Sequence, residues 1–363
     1  MQQVLAVWQH LQRRLFPALQ EEIGELTDKD RQFIQVVGLL RLGPLLEPYR
    51  WSGVGCPPKA RAPILQALLA KAMYQMPTTR VLLDTLKGRP TLRRLCGWES
   101  VGDIPSESTF SRAFAAFSAG ELMQKIHQTM VQKHLGSKLV GHVSRDATAV
   151  AAREKPAPKA PLAPALPKKR GRPAKGEVRP PAPPTRLEQQ LRRRLEENLA
   201  DLPKACAVGC KRNSQGHQET WIGYKLHLDT VDGDIPISAL LTGASVHDSQ
   251  AAIPLAQMSA QRVTSLYDLM DSAYDAPAIH EFSRRLNHVP IIDPNPRRGE
   301  LIPLDPARRV RFRERSAAER VNSQLQDNYG ARFVRVRGAA KVMTHLMCGI
   351  IALTALQLYQ MVL

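Results

Sequence analysis

Two hydrophobic periodicities divide the chain. Up to about residue 135, apolar positions recur at helical spacing: in RAPILQALLAKAMYQ from Arg61, in TRVLLDTLKG from Thr79, and in FSRAFAAFSAGELMQKIHQTMVQKHL from Phe110. Pro105 and Ser106 supply helix-start chemistry ahead of the last run. Short helices joined by turns fit a DNA reader of helix-turn-helix type, and equally a plain helical bundle. From Lys138 the pattern turns strand-like, in KLVGHVSRDATAVAA. After an interruption, WIGYKLHLDTV alternates from Trp221, Asp232-Gly233 predicts a hairpin turn, and IPISALLTGA returns. A helix (SQAAIPLAQMSA), a strand (SLYDLMD), a helix (APAIHEFSRRL), a strand (VPIID) and a helix holding Glu319 follow.

Three meander strands followed by alternating helices and strands predict an α/β fold, a mixed sheet with helices on its faces. The ribonuclease-H-like fold has this order of elements. The expected organisation is an all-helical domain over 1–135, the first strand of a catalytic domain over 136–152, a flexible insert over 153–204, the rest of the catalytic domain over 205–340, and a buried C-terminal helix over 341–363. Ten of the chain's 28 prolines fall in 153–184, where a basic, low-complexity composition cannot build a core. A short charged helix, TRLEQQLRRRLEENLA, is expected to close the insert. The terminal apolar run is interrupted by Thr344, His345, Gln357 and Gln360, which favours a buried helix over a membrane span.

Charge adds the partner. The formal net charge is +18. Residues 153–200 carry 13 Lys/Arg against 5 Asp/Glu, and residues 297–341 carry 12 against 5. Such clustering suits a protein that tracks a phosphate backbone, with a basic housekeeping enzyme as the alternative. Five cysteines and no signal-peptide pattern point to a reducing cytoplasm.

Three carboxylates stand out against this basic background. Asp146 lies in the first strand, Asp271 ends the fourth, and Glu319 sits near the start of the helix in FRERSAAERVNSQLQ. Ligand sites in open sheets gather at strand ends, so the three could converge. Phosphodiester cleavage needs an activated attacking oxygen and a stabilised leaving oxygen, and two divalent ions supply both. Mg²⁺ prefers carboxylate and phosphate oxygens. The bland alternative for each carboxylate is a solvated face or a surface ion pair.

At these residues the chain resembles the DDE transposases of bacterial insertion sequences, in the branch whose third box spaces Tyr, Arg, Glu and Lys. That box here is Phe312, Arg315, Glu319 and Gln326, with the spacing intact, Phe for Tyr and Gln for Lys. Asp271-Ser272-Ala273-Tyr274-Asp275 resembles the second box with Ala for Gly, and Asp146-Ala147-Thr148 resembles the first. The segments 223–250 and LRRLCGWESVGDIPSESTFSRAF are also similar to this family. The resemblance implies a ribonuclease-H-like catalytic domain and a Mg²⁺-dependent enzyme, with Mn²⁺ as a substitute and two ions per site. It makes Asp146, Asp271 and Glu319 the metal-binding triad and Arg315 a contact for the element's DNA. Phe312 keeps a stacking face there, and Gln326 offers a neutral hydrogen bond where lysine would offer charge.

Lys225 on the second strand, and Lys168, Lys169, Arg170, Arg172 and Lys175 in the insert, are further candidate DNA contacts. Arg170-Gly171-Arg172-Pro173 matches the core of an AT-hook, an extended segment suited to a narrow A·T minor groove. A generic basic linker is the alternative. Asp248 or Ser249 is expected to cap the helix after His247. The function these features imply is transposition: hydrolysis at the ends of an element, then attack of the freed 3′-hydroxyl on target DNA. The partners would be double-stranded DNA, as terminal inverted repeats and as target, with a homodimer on paired ends and no membrane. The expected location is the bacterial cytoplasm, with the nucleoid. A non-catalytic DNA-binding descendant and a stand-alone ribonuclease-H-like nuclease are the competing readings.

Overall fold

The computed structural model describes residues 25–40, 42–158, 183–212, 215–295 and 303–362. Lys168, Lys169, Arg170, Arg172 and Lys175 lie outside the described residues. The helical third comprises α1 (Asp28–Leu39), α2 (Gly43–Leu46), α3 (Arg61–Met73), α4 (Thr79–Gly88), α5 (Pro90–Leu95), α6 (Glu107–Ala119) and α7 (Leu122–Leu135). Ser106 caps α6 by accepting from the Thr109 amide, as the sequence predicts. The apolar run from Phe110 is split between α6 and α7 at Gly120 and Glu121, the latter at φ 52°. The buried Asp30 carboxylate accepts from the Tyr74 hydroxyl and from Arg89, each at 2.6 Å, and so joins α1 to the ends of α3 and α4.

The sheet is built on a long strand, β1 (Leu139–Ala152). After α8 (Arg186–Gln190) and α9 (Leu195–Asp201) come β2 (Ala207–Arg212), β3 (Gln218–Val231) and β4 (Ile235–Gly243). Then α10 (Ser249–Ala260), β5 (Thr264–Met270), α11 (Pro277–Arg285) and β6 (Val289–Ile292) alternate. Strand β3 lies antiparallel to β1 and β4, whereas β5 runs parallel to β1 and β6 parallel to β5. The order β4-β3-β1-β5-β6 is that of the ribonuclease-H-like fold. The hairpin between β3 and β4 turns at Gly233 (φ 80°) and Asp234 (φ 57°), where glycine takes the left-handed position without strain.

Two details depart from the sequence reading. The charged segment after the insert is two short helices, α8 and α9, the first opened by a capping box at Thr185 and the second by the Arg194 amide donating to Glu197 Oε2 at 2.8 Å. An additional strand, β2, pairs with the first half of β3. It was hidden because its six residues, AVGCKR, are too short and mixed to show a clean period of two.

The remaining elements are α12 (Pro306–Phe312), α13 (Ser316–Asn328), β7 (Phe333–Val334) and α14 (Ala339–Val362). Helix α14 is long and apolar enough to cross a bilayer by composition alone. Its faces are instead covered by α1, α3, α6, α7 and β4. It therefore joins the helical third and one face of the sheet in a single apolar core that runs from Phe33 to Leu358. On β4, Ile237, Ala239 and Leu241 enter this core, while Leu240 packs against Ala251 and Leu255 of α10 on the opposite face.

Candidate active site

Alternation along β1 sends neighbouring side chains to opposite faces. Arg145 points toward α10 and is fully buried. Its Nε and Nη2 donate to the two oxygens of Asp229 at 2.8 and 2.7 Å, and Ser259 Oγ of α10 also donates to Asp229. Asp229 and Asp268 together hold the guanidinium in its charged form against the cost of burial. Asp146 points the other way, toward α13. There Asn322 Nδ2 donates to Asp146 Oδ2 at 2.9 Å, and Gln326 Nε2 donates to Thr148 Oγ1 at 2.5 Å.

These two bonds fix the register of helix on strand. Four helical residues rise about 6 Å, and two strand residues advance about 6.6 Å. Glu319, Asn322 and Gln326 therefore form one polar stripe along α13, beside the buried Ala318, Val321 and Leu325.

Asp271 follows directly on β5. Its Oδ1 accepts from the Ala273 amide at 2.9 Å, which opens a short 3₁₀ turn. In the parallel pairing of β1 with β5, Ser144 stands opposite Leu269. The ladder ends there: Asp146 lies two residues further along β1 and Asp271 just past the end of β5, so the two carboxylates come near each other beyond the last pair.

The electrostatics record this proximity. Burial, with the Asp271 carboxylate as second cause, raises the Asp146 pKa to about 6, although Arg315, Asn322 and the Ala147 amide oppose the rise. Asp271 is raised too, first by burial and then by Asp248 and Asp293, with Arg315 opposing. Among the described residues the hydroxyl of buried Tyr274 has no hydrogen-bond partner, and burial together with Asp248, Asp146 and Asp271 pushes its pKa far above the usual phenol range. Acidic groups thus converge on one place from β1, from the end of β5, from the start of α10 and from the loop after β6.

Arg315 is the cation at this place. It pairs with Glu319 one turn along and lies over the Phe312 ring at 5.7 Å. The Glu319 side chain is 56% exposed. Among the described residues, no three His, Cys, Asp or Glu side chains are drawn closely enough together to ligate one ion. The donor set nevertheless suits a hard divalent cation: carboxylates only, with two of them neighbours at raised pKa.

Lys225 is already engaged, by the same Asp248 that bears on Asp271. Its ammonium donates to Asp248 Oδ1 at 2.8 Å and to the Val246 carbonyl at 3.0 Å. Asp248 stands at the N-cap position of α10 without making the expected side-chain cap, because its carboxylate is committed to Lys225. Ser249 Oγ pairs instead with His247 Nδ1.

Comparison with known families gives two matches. Residues 196–355 match the family described as Transposase DDE domain, and residues 21–116 match the one described as Transposase domain (DUF772). The chain belongs to the DDE transposases. The first match covers Asp271 and Glu319 and begins beyond Asp146; the second covers most of the helical third of the transposase. No curated protein and no solved structure matches it.

The sequence reading did not single out Asn322, Asp293 or Tyr274 as partners within the transposase site. For Asn322 a signal existed. It lies three residues after Glu319, on a helix face where polar side chains interrupt an apolar stripe. Asp293 and the orphaned Tyr274 hydroxyl become site groups only through the packing of β5 and β6, which no local pattern reports.

Proposed function

We propose that this transposase cuts and joins DNA at the ends of an insertion sequence, with Asp146, Asp271 and Glu319 as its catalytic carboxylates. The observation that carries the reading is the proximity of Asp146 and Asp271 just beyond the end of the β1–β5 ladder, where burial and the Asp271 carboxylate raise the Asp146 pKa. Carboxylates held together at a half-buried site favour a shared cation over mutual ionisation. Asp146, Asp271 and Glu319 would hold Mg²⁺, or Mn²⁺ in its place, two ions per site. When bound, these ions activate the attacking oxygen and stabilise the leaving one.

The chain's own residues do the positioning. Asn322 fixes the rotamer of Asp146, and the Ala273 amide fixes that of Asp271. Arg315 moderates the carboxylates' repulsion and can meet a DNA phosphate when Glu319 releases it. Phe312 and Gln326 flank that contact. In this reading residues 1–135 bind terminal inverted repeats, the insert over 153–204 supplies a second basic contact, and residues 136–152 and 205–340 form the catalytic body, closed by 341–363. Target DNA is the second substrate, a homodimer pairs two ends, and the work is done in the bacterial cytoplasm at the nucleoid.

Joining separates this reading from its rivals. The full chain would be incubated with a pre-cut duplex from the end of its own genomic locus, bearing a 3′-hydroxyl, together with a target plasmid and Mg²⁺. Covalent transfer of the duplex into the plasmid, lost with EDTA, is the expected result. Cutting without joining favours a stand-alone nuclease, and binding without either favours a non-catalytic descendant.

A further inference from the structure

A second basic site lies away from the carboxylates, where the helical third meets the sheet. A cavity of about 420 Å³ opens there between α3 and α6 on one side and the segment from β7 into α14 on the other. A neighbouring cavity of about 390 Å³ shares Lys71, Thr79, Arg335 and His345 with it and reaches Gln326, whose amide holds Thr148. The two form a groove that begins beside the catalytic strand.

The first cavity gathers cations from three parts of the chain: Lys71 from α3, Arg153 from the end of β1, and Arg335, Arg337 and Lys341 around the start of α14. Glu107 is the one acid among the residues lining it. Among the described residues, Lys71, Arg153, Arg335 and Lys341 make no ion pair with any carboxylate. Burial, and after it the nearby Arg335, lower the Lys71 pKa against the opposing Cys348, so Lys71 and Arg335 repel one another where they stand. Fixed backbone contacts hold the group in place. The Arg153 amide donates to the Val334 carbonyl at 3.0 Å, Arg337 Nε donates to the Arg153 carbonyl at 3.2 Å, and the Gly338 amide donates to Glu154 at 3.1 Å. Cations anchored around one concavity without carboxylate partners of their own are a site for an anion that neutralises them.

We propose that this cavity seats a backbone phosphate of the bound DNA, so that duplex is gripped both at the carboxylates and at the seam between the helices and the sheet. The inference rests on the DNA-cutting reading above and adds a place and a spacing to it. Arg153 lies seven residues beyond Asp146 on the same strand, about 23 Å along it. At about 3.4 Å per base pair, a duplex running along β1 from the carboxylates reaches the cavity after roughly seven base pairs.

The test measures binding of the full chain to a duplex from the element end, by fluorescence anisotropy across a series of KCl concentrations. Arg335→Gln and Lys341→Gln, singly and together, alter exposed side chains, and thermal melting confirms that each variant is folded. A second duplex series carries one neutral methylphosphonate at successive positions. The double variant is expected to lower the slope of log K against log salt by about 1, the share of one phosphate contact. One methylphosphonate, about seven base pairs from the cut, is expected to weaken the wild type about tenfold and leave the double variant unaffected. An unchanged slope in a folded double variant overturns the proposal and leaves the DNA-cutting reading intact. So does a melting shift given by inorganic phosphate or tripolyphosphate alone with an unchanged DNA slope, which identifies a free-anion site instead. A wild type that binds no end duplex overturns both readings.

Discussion

Asn322 donates its side-chain amide to Asp146 across the interface between α13 and β1, at 2.9 Å. One hydrogen bond therefore joins the helix that carries Glu319 to the strand that carries the most perturbed carboxylate of the site. Because it stabilises the carboxylate form of Asp146, its loss raises that group's proton affinity. Asn322→Ala is expected to move the acid limb of the cleavage-rate profile to higher pH and to slow cleavage about tenfold at pH 7. DNA affinity should stay within about twofold, since binding does not use this bond. Single-turnover rates from pH 5 to 9 check this. An acid limb unchanged from wild type would show that the bond does not tune Asp146.

Asp146 also couples activity to stability. Its pKa in the fold is about 6, above the ordinary carboxyl value. The folded state then binds more protons than the unfolded chain between about pH 4 and 6. The sign follows: this group's contribution is fully present below about pH 4 and is lost as pH rises through 6. The loss is on the order of 2 kcal/mol, since the carboxylate is only half-buried. Asp146→Asn, which cannot ionise, is expected to melt several degrees higher than wild type at pH 7.5 and with the wild type at pH 4, while losing cleavage. Equal melting temperatures at pH 7.5 would contradict the raised pKa.

Behind the site, Arg145 and Asp229 form a buried bidentate pair. Removing one partner strands a charge in the core. Asp229→Ala is expected to cost about 3–5 kcal/mol, whereas the double replacement Arg145→Met with Asp229→Leu should cost far less. Urea denaturation measures both. A double variant no more stable than Asp229→Ala would mean that the pair does more than offset its own desolvation.

Gln326 occupies the place where the resembling branch carries lysine, and it holds Thr148 and the Ala149 carbonyl. Gln326→Lys would give up these bonds for a positive charge directed at DNA. The expected outcome is tighter binding of the end duplex and a salt slope steeper by about 0.9, read by anisotropy. A slope equal to wild type would place position 326 out of reach of the phosphates.

The order of helices and strands was legible because period and punctuation agree over most elements. The hairpin at Asp232-Gly233, the α10 segment, and the strands of Asp146 and Asp271 all carry unambiguous local patterns. The short β2 and the break between α8 and α9 were not, since both depend on tertiary pairing and capping detail. Within the site, the spacing of Arg315 and Glu319 was visible in the chain. That Arg315 turns to Glu319, and that Lys225 is held by Asp248, are matters of packing. Lys225 reads in sequence as a strand lysine free for DNA, and only the approach of the α10 start reveals its partner.

The most direct test is single-turnover cleavage of a labelled duplex from the element end, in Mg²⁺ and in EDTA, by wild type and by Asp146→Asn, Asp271→Asn and Glu319→Gln. The expected result is a cut at one fixed position that needs Mg²⁺ and falls at least about a thousandfold in each variant. DNA affinity should be retained throughout. Cleavage that persists in any one of the three folded variants would contradict the assignment of these carboxylates as a single catalytic set.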